Sequence, residues 1–545
     1  MADHPSDVDF IIVGAGSAGC VLANRLSEDG RCSVLLVEAG GSDRSPWIHV
    51  PIGYGKTFTD ARFNWKYFAE PDPGLGGRKV FWPRGRVLGG SSSINAMLYV
   101  RGHPGDFDDW AALGNRGWAY RDVLPYFIKS EDHVWGASEF HGAGGPMRVS
   151  EFVSAVHPTC DLFLQACDRL GIARNPDFNA AQMEGAGTWQ MTIRDGRRES
   201  TASAFLRPAM RRRNLTVLTQ ALVTRIGFEG QLATGIEYLR GGRRHAVRAR
   251  REVILSAGAV NSPQLLQLSG VGDEALLRSL GIAVQLHAPL VGQRMQDHLG
   301  ISYLYKSRVP TLNDEIYPLT GKIKAALQYA LRRAGIFAMS VNHAGAFVRT
   351  RPELTRPNMQ VYFNPLSYTA ATGLERKLMQ PDPFAGYLLG YNSCRPTSRG
   401  SITIRSSEPA VAPVIQPNSL STERDIEDAF EGAALMRRMA STEPLAGIMK
   451  SEMRPGADVQ SRDELIEDFR RRSGSVYHPC GTCGMGVEPR NSVVDPQLRV
   501  HGLARLRVVD ASIFPTVTSG NINAPVIMVA EKAADAIKAA TVRTE

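Results

Sequence analysis

The 545-residue sequence is poor in cysteine: Cys20, Cys32, Cys160, Cys167, Cys394, Cys480 and Cys483 are few and odd in number, which excludes a fully paired disulfide framework. A reducing compartment is the expectation. No apolar run approaches the ~18 uncharged residues of a membrane helix, because glycine or charge interrupts each one. The amino-terminal MADHPSDVDF is polar and acidic and lacks the basic region and apolar core of a secretion signal, so a cytoplasmic location is expected. Internal repeats and low-complexity stretches are missing too, which excludes a solenoid. Residues are 43% apolar and 21% charged, with 53 Gly and 32 Pro, a composition that excludes disorder, collagen and coiled coil. The length suits two domains with insertions, or three.

The net charge of +9 arises from 63 basic against 54 acidic residues, with clusters at Arg211–Arg213 and at Arg243 and Arg244. These clusters lack the interleaved aromatics of a base-stacking platform, so no nucleic-acid partner is expected. They read as a solvated basic face, with loose attachment to the anionic surface of the inner membrane as a weaker alternative.

Phe10 to Val13 form an apolar run ending at Gly14, and Val21, Leu22 and Leu26 then recur at helical spacing. A second run, Val34 to Val37, ends at Glu38, completing a strand–helix–strand unit with a right-handed crossover. Leu215 to Leu218, Leu222 to Ile226 and Leu232 to Leu239 read as a meander, and Glu252 to Leu255 as a further buried strand leading into a helix. From about residue 306 to 467 the texture changes, with aromatics at Tyr362, Phe363, Tyr368, Phe384, Tyr387 and Tyr391. A strand at Leu506 to Val509 and a terminal helix carrying Val526, Ile527, Ala530, Ala533 and Ile537 should fold back onto the first domain.

Gly14-Ala15-Gly16-Ser17-Ala18-Gly19 is a GxGxxG run between strand and helix, where glycine permits the tight turn and lets backbone amides approach a pyrophosphate. Glu38 lies at the end of the second strand, where a dinucleotide fingerprint puts a carboxylate on ribose hydroxyls. A dinucleotide cofactor follows, and the fingerprint alone does not separate NAD from FAD.

GRVLGGSSSINAMLYVRG (85–102) and GAVNSPQLLQLSGVG (258–272) resemble the two signatures of the glucose-methanol-choline (GMC) oxidoreductases, which use FAD. VGQRMQDH (291–298), CRPTSRG (394–400), YHPCGTCGMG (477–486) and VVDASIFPTVTSGNINAPVIMVAEKAADAI (508–537) extend the resemblance over essentially the whole chain. Within the family, the GSSSINAM and GNINAP stretches look most like the bacterial choline dehydrogenase and FAD-dependent alcohol dehydrogenase branch. The resemblance implies a two-domain α/β fold: a Rossmann-like FAD domain with a mostly parallel sheet (1–155, 200–305 and 468–545), and a substrate domain with an antiparallel sheet and helices (156–199 and 306–467). It places FAD against Gly14, Gly16, Ser17, Ala18, Gly19, Glu38, Ala39, Val87, Gly89, Gly90, Ser91, Asn95, Ala96, Met97, Leu98, Val223, Ala257, Tyr477, Asp510, Ala511 and Asn521. Some relatives attach FAD covalently through a His in the first signature; Ile94 stands there in this chain, so non-covalent FAD is expected.

His478 matches the family's catalytic His, and Asn521 its second active-site position. A neutral imidazole can take the hydroxyl proton of an alcohol near neutral pH, while an Asn amide orients the oxygen without titrating. The resemblance thus implies oxidation of a primary alcohol to its aldehyde by hydride transfer to flavin N5, with His478 as base. A quinone or other carrier is the preferred electron acceptor, and an oxidase using oxygen is the alternative. The fold also hosts lyases and light-driven decarboxylases, which the His and Asn pair disfavours. Cys480-Gly481-Thr482-Cys483 is a CxxC without a second ligand pair at metal spacing, so buried thiols and no metal are expected.

Overall fold

The computed structural model describes residues 6–152, 155–368 and 380–542; residues 1–5, half of the polar amino-terminal stretch, lie outside them. β1 (Asp7–Val13), α1 (Ser17–Leu26) and β2 (Val34–Val37) form a parallel unit in which Phe10 to Val13 pair with Val34 to Val37. Every residue of β2 is buried, which is why the run is uniformly apolar rather than alternating.

The sheet grows to seven strands: β3 (Leu215–Leu218), β4 (Leu222–Glu229), β5 (Leu232–Arg240), β6 (Arg243–Leu255) and β7 (Leu506–Val508) join it, in the spatial order β3-β2-β1-β6-β5-β4 with β7 on β6. Two expectations are corrected here. β3 is not part of the meander but runs parallel to β2 at the sheet edge, and a four-residue apolar run carries no signal that separates the two placements. The buried strand expected at Glu252 to Leu255 is only the end of the 13-residue β6. The charged first half of β6 pairs antiparallel with β5, and its apolar second half pairs in parallel with β1 and β7. Alternating arginines on the solvent side of the first half hid the strand.

α2 (Gly258–Leu268) follows β6, and the last helix, α3 (Asn523–Val542), packs on α1. Arg25 of α1 makes a two-pronged bond at 2.7 and 2.8 Å to the fully buried carboxylate of Glu531 on α3, fixing the fold-back of the chain end.

A second seven-stranded sheet is antiparallel along its main path, in the order Met449–Arg454, Leu299–Ser307, Gly386–Ser393, Met359–Asn364, Ala344–Val348 and Gly185–Thr188. Gly185–Thr188 lies in the segment expected for this domain, and the strand Leu299–Ser307 starts ahead of the boundary expected at 305/306. The helix Glu423–Ala440 covers one face with Ala429, Ala433 and Met436. Residues of the strands on the other side, Ser302, Tyr362 and Asn364, line a cavity whose floor is the carboxyl end of the parallel sheet, the usual ligand position in open α/β folds. Among the described residues no helix is long and apolar enough to cross a membrane.

Candidate active site

At one end of the cavity the turn after β1 is set by close approach. Gly14 has φ +97°, and a Cβ on Gly19 would lie 1.9 Å from the Gly14 carbonyl oxygen, so α1 can start only if both are glycine. A Cβ on Gly16 would meet nothing nearer than the Ser256 carbonyl at 3.8 Å, so no protein neighbour demands that glycine. It faces the cavity, where a ligand backbone can come close. Glu38 accepts hydrogen bonds from the amides of Ala15 (2.9 Å) and Gly40 (2.8 Å) while lining the same cavity. Burial pushes its carboxyl up to about 7, against the pull of those two amides and of Arg86.

The small-residue segment crosses next to this turn. The Gly89 amide donates to the Ala15 carbonyl at 2.7 Å, which clamps the segment onto the glycine turn. Asn95 accepts from buried Arg198 at 2.7 Å and from the Met97 amide at 3.1 Å. Met97 sits at φ +66°, a conformation that costs a long side chain of order 1 kcal/mol and clusters at functional sites. The Ile94 side chain packs into an apolar cluster with Ile48, Phe63 and Val87.

Tyr477 (φ +72°) is a second residue held in the left-handed region, and it turns the chain so that His478 enters the cavity. The turn is fastened from three sides: the Tyr477 amide donates to the Ser475 hydroxyl at 2.8 Å, its carbonyl accepts from Arg84 at 2.6 Å, and the His478 amide donates to Asp297 at 2.7 Å. Ser475 in turn donates to the other oxygen of Asp297. Burial raises Asp297 to about 7 and lowers Arg84 to about 10.

The imidazole of His478 belongs to a hydrogen-bonded chain. His298 Nε2 lies 3.0 Å from the Cys394 carbonyl, which can only accept, so Nε2 carries the proton and Nδ1 of the neutral ring is a lone pair. His478 Nδ1 lies 2.9 Å from that lone pair and must donate to it. His478 Nε2 is therefore unprotonated, and it accepts from the Asn521 amide at 3.1 Å. Gln360 donates to the Asn521 oxygen at 3.2 Å, fixing which way that amide points. Burial, with Arg84 and His298 nearby, holds His478 well below its ordinary value, and burial lowers His298 to about 4. The arrangement presents a basic nitrogen and an amide donor at one point of the cavity wall.

The cavity is lined by Gly14, Gly16, Ser17, Ala18, Glu38, Ala39, Gly90, Ser91, Asn95, Ala96, Met97, Leu98, Val223, Ala257, Tyr477, His478, Asp510, Ala511 and Asn521. Three expected contact residues do not reach it. Gly19 packs under Gly14, Gly89 is tied to Ala15, and Val87 is fully buried in the cluster around Ile94. These three build the wall behind the lining residues.

His298, Gln360, Asp297 and Arg84 join the site without having been singled out in the sequence. The first and third sit in VGQRMQDH, visible as a segment but without a signal for either role. Of the six aromatics singled out between 362 and 391, Tyr362, Tyr368 and Tyr391 line the cavity, joined by Tyr54, Phe58 and Trp65 from the first half of the chain. Asn521 does not cap α3, since its side chain is spent on His478 and Gln360. All seven cysteines are buried, and burial raises the Cys480 and Cys483 thiols.

Two family models, each described as GMC oxidoreductase, match residues 8–300 and 396–530. The chain belongs to the GMC oxidoreductases. It is 46% identical over 548 residues to the mitochondrial choline dehydrogenase of Homo sapiens, covering 98% of this chain and 91% of that one. To an alcohol dehydrogenase [acceptor] of Pseudomonas putida it is 42% identical over 533 residues, covering 97% and 95%. The crystal structure of pyridoxine 4-oxidase from Mesorbium loti superposes with a TM-score of 0.86 at 34% identity, over 97% of this chain and 98% of that one.

As a GMC oxidoreductase the protein is an FAD enzyme acting on CH–OH groups. The cavity fits that cofactor. Gly16 leaves open space at the start of α1 where a pyrophosphate can meet backbone amides, and Glu38 keeps lone pairs for ribose hydroxyls. Arg198, buried against Asn95 with its Nη2 unpartnered among the described residues, adds a cation beside that segment.

Proposed function

We propose that this GMC oxidoreductase oxidises a primary alcohol to its aldehyde. The observation that carries the reading is the fixed tautomer of His478, whose Nε2 lone pair faces the cavity 3.1 Å from the Asn521 amide. An alcohol that donates its O–H to Nε2 and accepts from Asn521 Nδ2 replaces that direct contact and is oriented by both groups. When bound, FAD supplies the hydride acceptor at N5. Loss of hydride from the carbinol carbon gives a carbonyl only as the hydroxyl proton leaves, and His478 Nε2 holds that proton. His298 accepts from Nδ1 throughout and keeps the base in register. FAD is held without a covalent bond, Gly14 to Ala18 and Glu38 serving the nucleotide, and Asn95 to Leu98 with Tyr477, Asp510 and Ala511 serving the flavin end.

The acceptor of the electrons is a quinone or another carrier in preference to oxygen, and the enzyme works in the cytoplasm with peripheral contact at the inner membrane. The retained His and Asn pair favours oxidation over lyase or decarboxylase chemistry. Aromatic side chains at Tyr54, Phe58, Trp65, Tyr362 and Tyr368 suit a quaternary ammonium or an apolar alcohol, so choline leads the alcohols to be tested, followed by aliphatic and aryl alcohols.

The test is the visible spectrum of the purified holoenzyme under nitrogen, with each alcohol and then with air. Bleaching by an alcohol with slow recovery in air is the expected result. Fast recovery would make the protein an oxidase, and no bleaching by any alcohol would overturn the reading.

A further inference from the structure

The helix Leu319–Arg332 is seated on the protein by Ala325 and Tyr329 alone among its buried residues. On the opposite side it carries Leu319, Ile323, Leu327 and Leu331, whose exposure runs from 52% at Ile323 to 81% at Leu331, with half-exposed Tyr317 just ahead of it. A spacing of four residues advances each side chain by about 40°, so the four cover an arc of about 120° pointing away from the core. Scattered exposed leucines are normal and a contiguous stripe is not. Among the described residues five of the fourteen exposed large apolar side chains fall between Tyr317 and Leu331.

The charges on the helix itself have one sign, and Glu315, ahead of it, offsets part of Lys324. Lys322 and Lys324 flank it on either side, and Arg332 and Arg333 close its carboxyl end, all four exposed, while the chain from Gly321 to Arg333 contains no acid. A second copy of this face would meet those cations with cations. Phosphate headgroups would meet them with anions, and long basic side chains can reach headgroups while their neighbours sit deeper. The chain then turns at Gly335 (φ +81°), packs Ile336–Ala338 against Pro51–Gly53, and reaches Val341 and Asn342 on the cavity wall. The stripe thus stands on the segment that builds the substrate side of the cavity.

We propose that the Leu319–Arg332 helix docks the enzyme on an anionic lipid bilayer, lying in the plane of the interface with its leucine stripe among the acyl chains and its basic side chains at the headgroups. Such docking serves the proposed non-oxygen acceptor and takes its purpose from that reading. Vesicle binding is nevertheless scored without turnover, so either can fail alone.

The experiment is co-sedimentation of full-length holoenzyme with vesicles of phosphatidylcholine alone or with roughly a third phosphatidylglycerol. Binding to the anionic vesicles, reduced by high salt, is expected. The double variant Ile323→Glu/Leu327→Glu should bind about 10-fold less while keeping flavin content and turnover with a soluble acceptor. Lys322→Glu/Lys324→Glu should lose the preference for anionic lipid. Wild-type protein that stays in the supernatant, or a double variant that sediments like wild type, would overturn the proposal. So would a dimer, seen by light scattering, that the double variant dissolves without any vesicle binding, since the stripe would then belong to a second copy.

Discussion

The Nδ1 atoms of His298 and His478 face each other across 2.9 Å, so one proton lies between them and only one of the rings supplies it. The Cys394 carbonyl decides which, because it occupies His298 Nε2 as an acceptor at 3.0 Å. A backbone carbonyl remote from the cavity thereby sets the basic nitrogen of His478.

Removing that constraint gives the first prediction. His298→Phe leaves His478 Nδ1 without its acceptor, and rotation or the other tautomer then competes with the productive one. Flavin reduction by alcohol should slow by about 10-fold to 100-fold, with KM changing less. The nearby His298 also helps hold His478 low, so its loss should raise that group and move the acid limb of kcat/KM to higher pH. A slower enzyme with an unmoved acid limb would make His298 merely structural.

His478→Ala removes the proposed proton acceptor itself. Anaerobic flavin reduction should fall by about 10² or more, with the visible flavin spectrum retained because the residue does not hold the nucleotide end. An unchanged reduction rate would take His478 out of the role of base.

Ile94 stands where some relatives carry a covalent His link, and its side chain is committed to an apolar cluster with Ile48, Phe63 and Val87. Acid precipitation should release the flavin into the supernatant. Yellow colour retained in the pellet would show a covalent bond.

The nucleotide end of the site was legible because steric demand writes itself locally: Gly14, Gly16 and Gly19, a buried strand on each side, and Glu38 at a fixed distance are one continuous stretch of chain. The proposed catalytic pair was legible only through family resemblance, since nothing around His478 in the sequence shows that Asn521 lies 3.1 Å away. The relay partners were illegible for the same reason in stronger form. His298 and Gln360 reach the site through strand pairing of the second sheet and its approach to the first, a property of topology. β6 shows a further limit, because one strand that is solvent-facing at its start and buried at its end presents two patterns and reads as two elements.

The last prediction concerns the tie between the flavin segment and the rest of the domain. Arg101, at the end of that segment, donates to Glu131 at 2.7 Å, and the ring of His141 bridges Glu131 at 3.0 Å and Asp177 at 2.7 Å, with His133 stacked on it and Tyr99 beside Arg101. Burial opposes the charged imidazole, yet the two carboxylates outweigh it and raise His141 to about 9. The folded protein then holds a proton that the unfolded chain releases near 6.5, so the stabilisation is fully present below that pH and is lost as pH rises through about 9. Thermal melting of the holoenzyme and of His141→Gln between pH 6.5 and 9.5 isolates this group, because distant titrations cancel in the difference. Wild type should melt several degrees higher at the acid end, and the gap should narrow toward the alkaline end. A gap that stays constant with pH would mean that His141 is neutral between its two acids and contributes only packing.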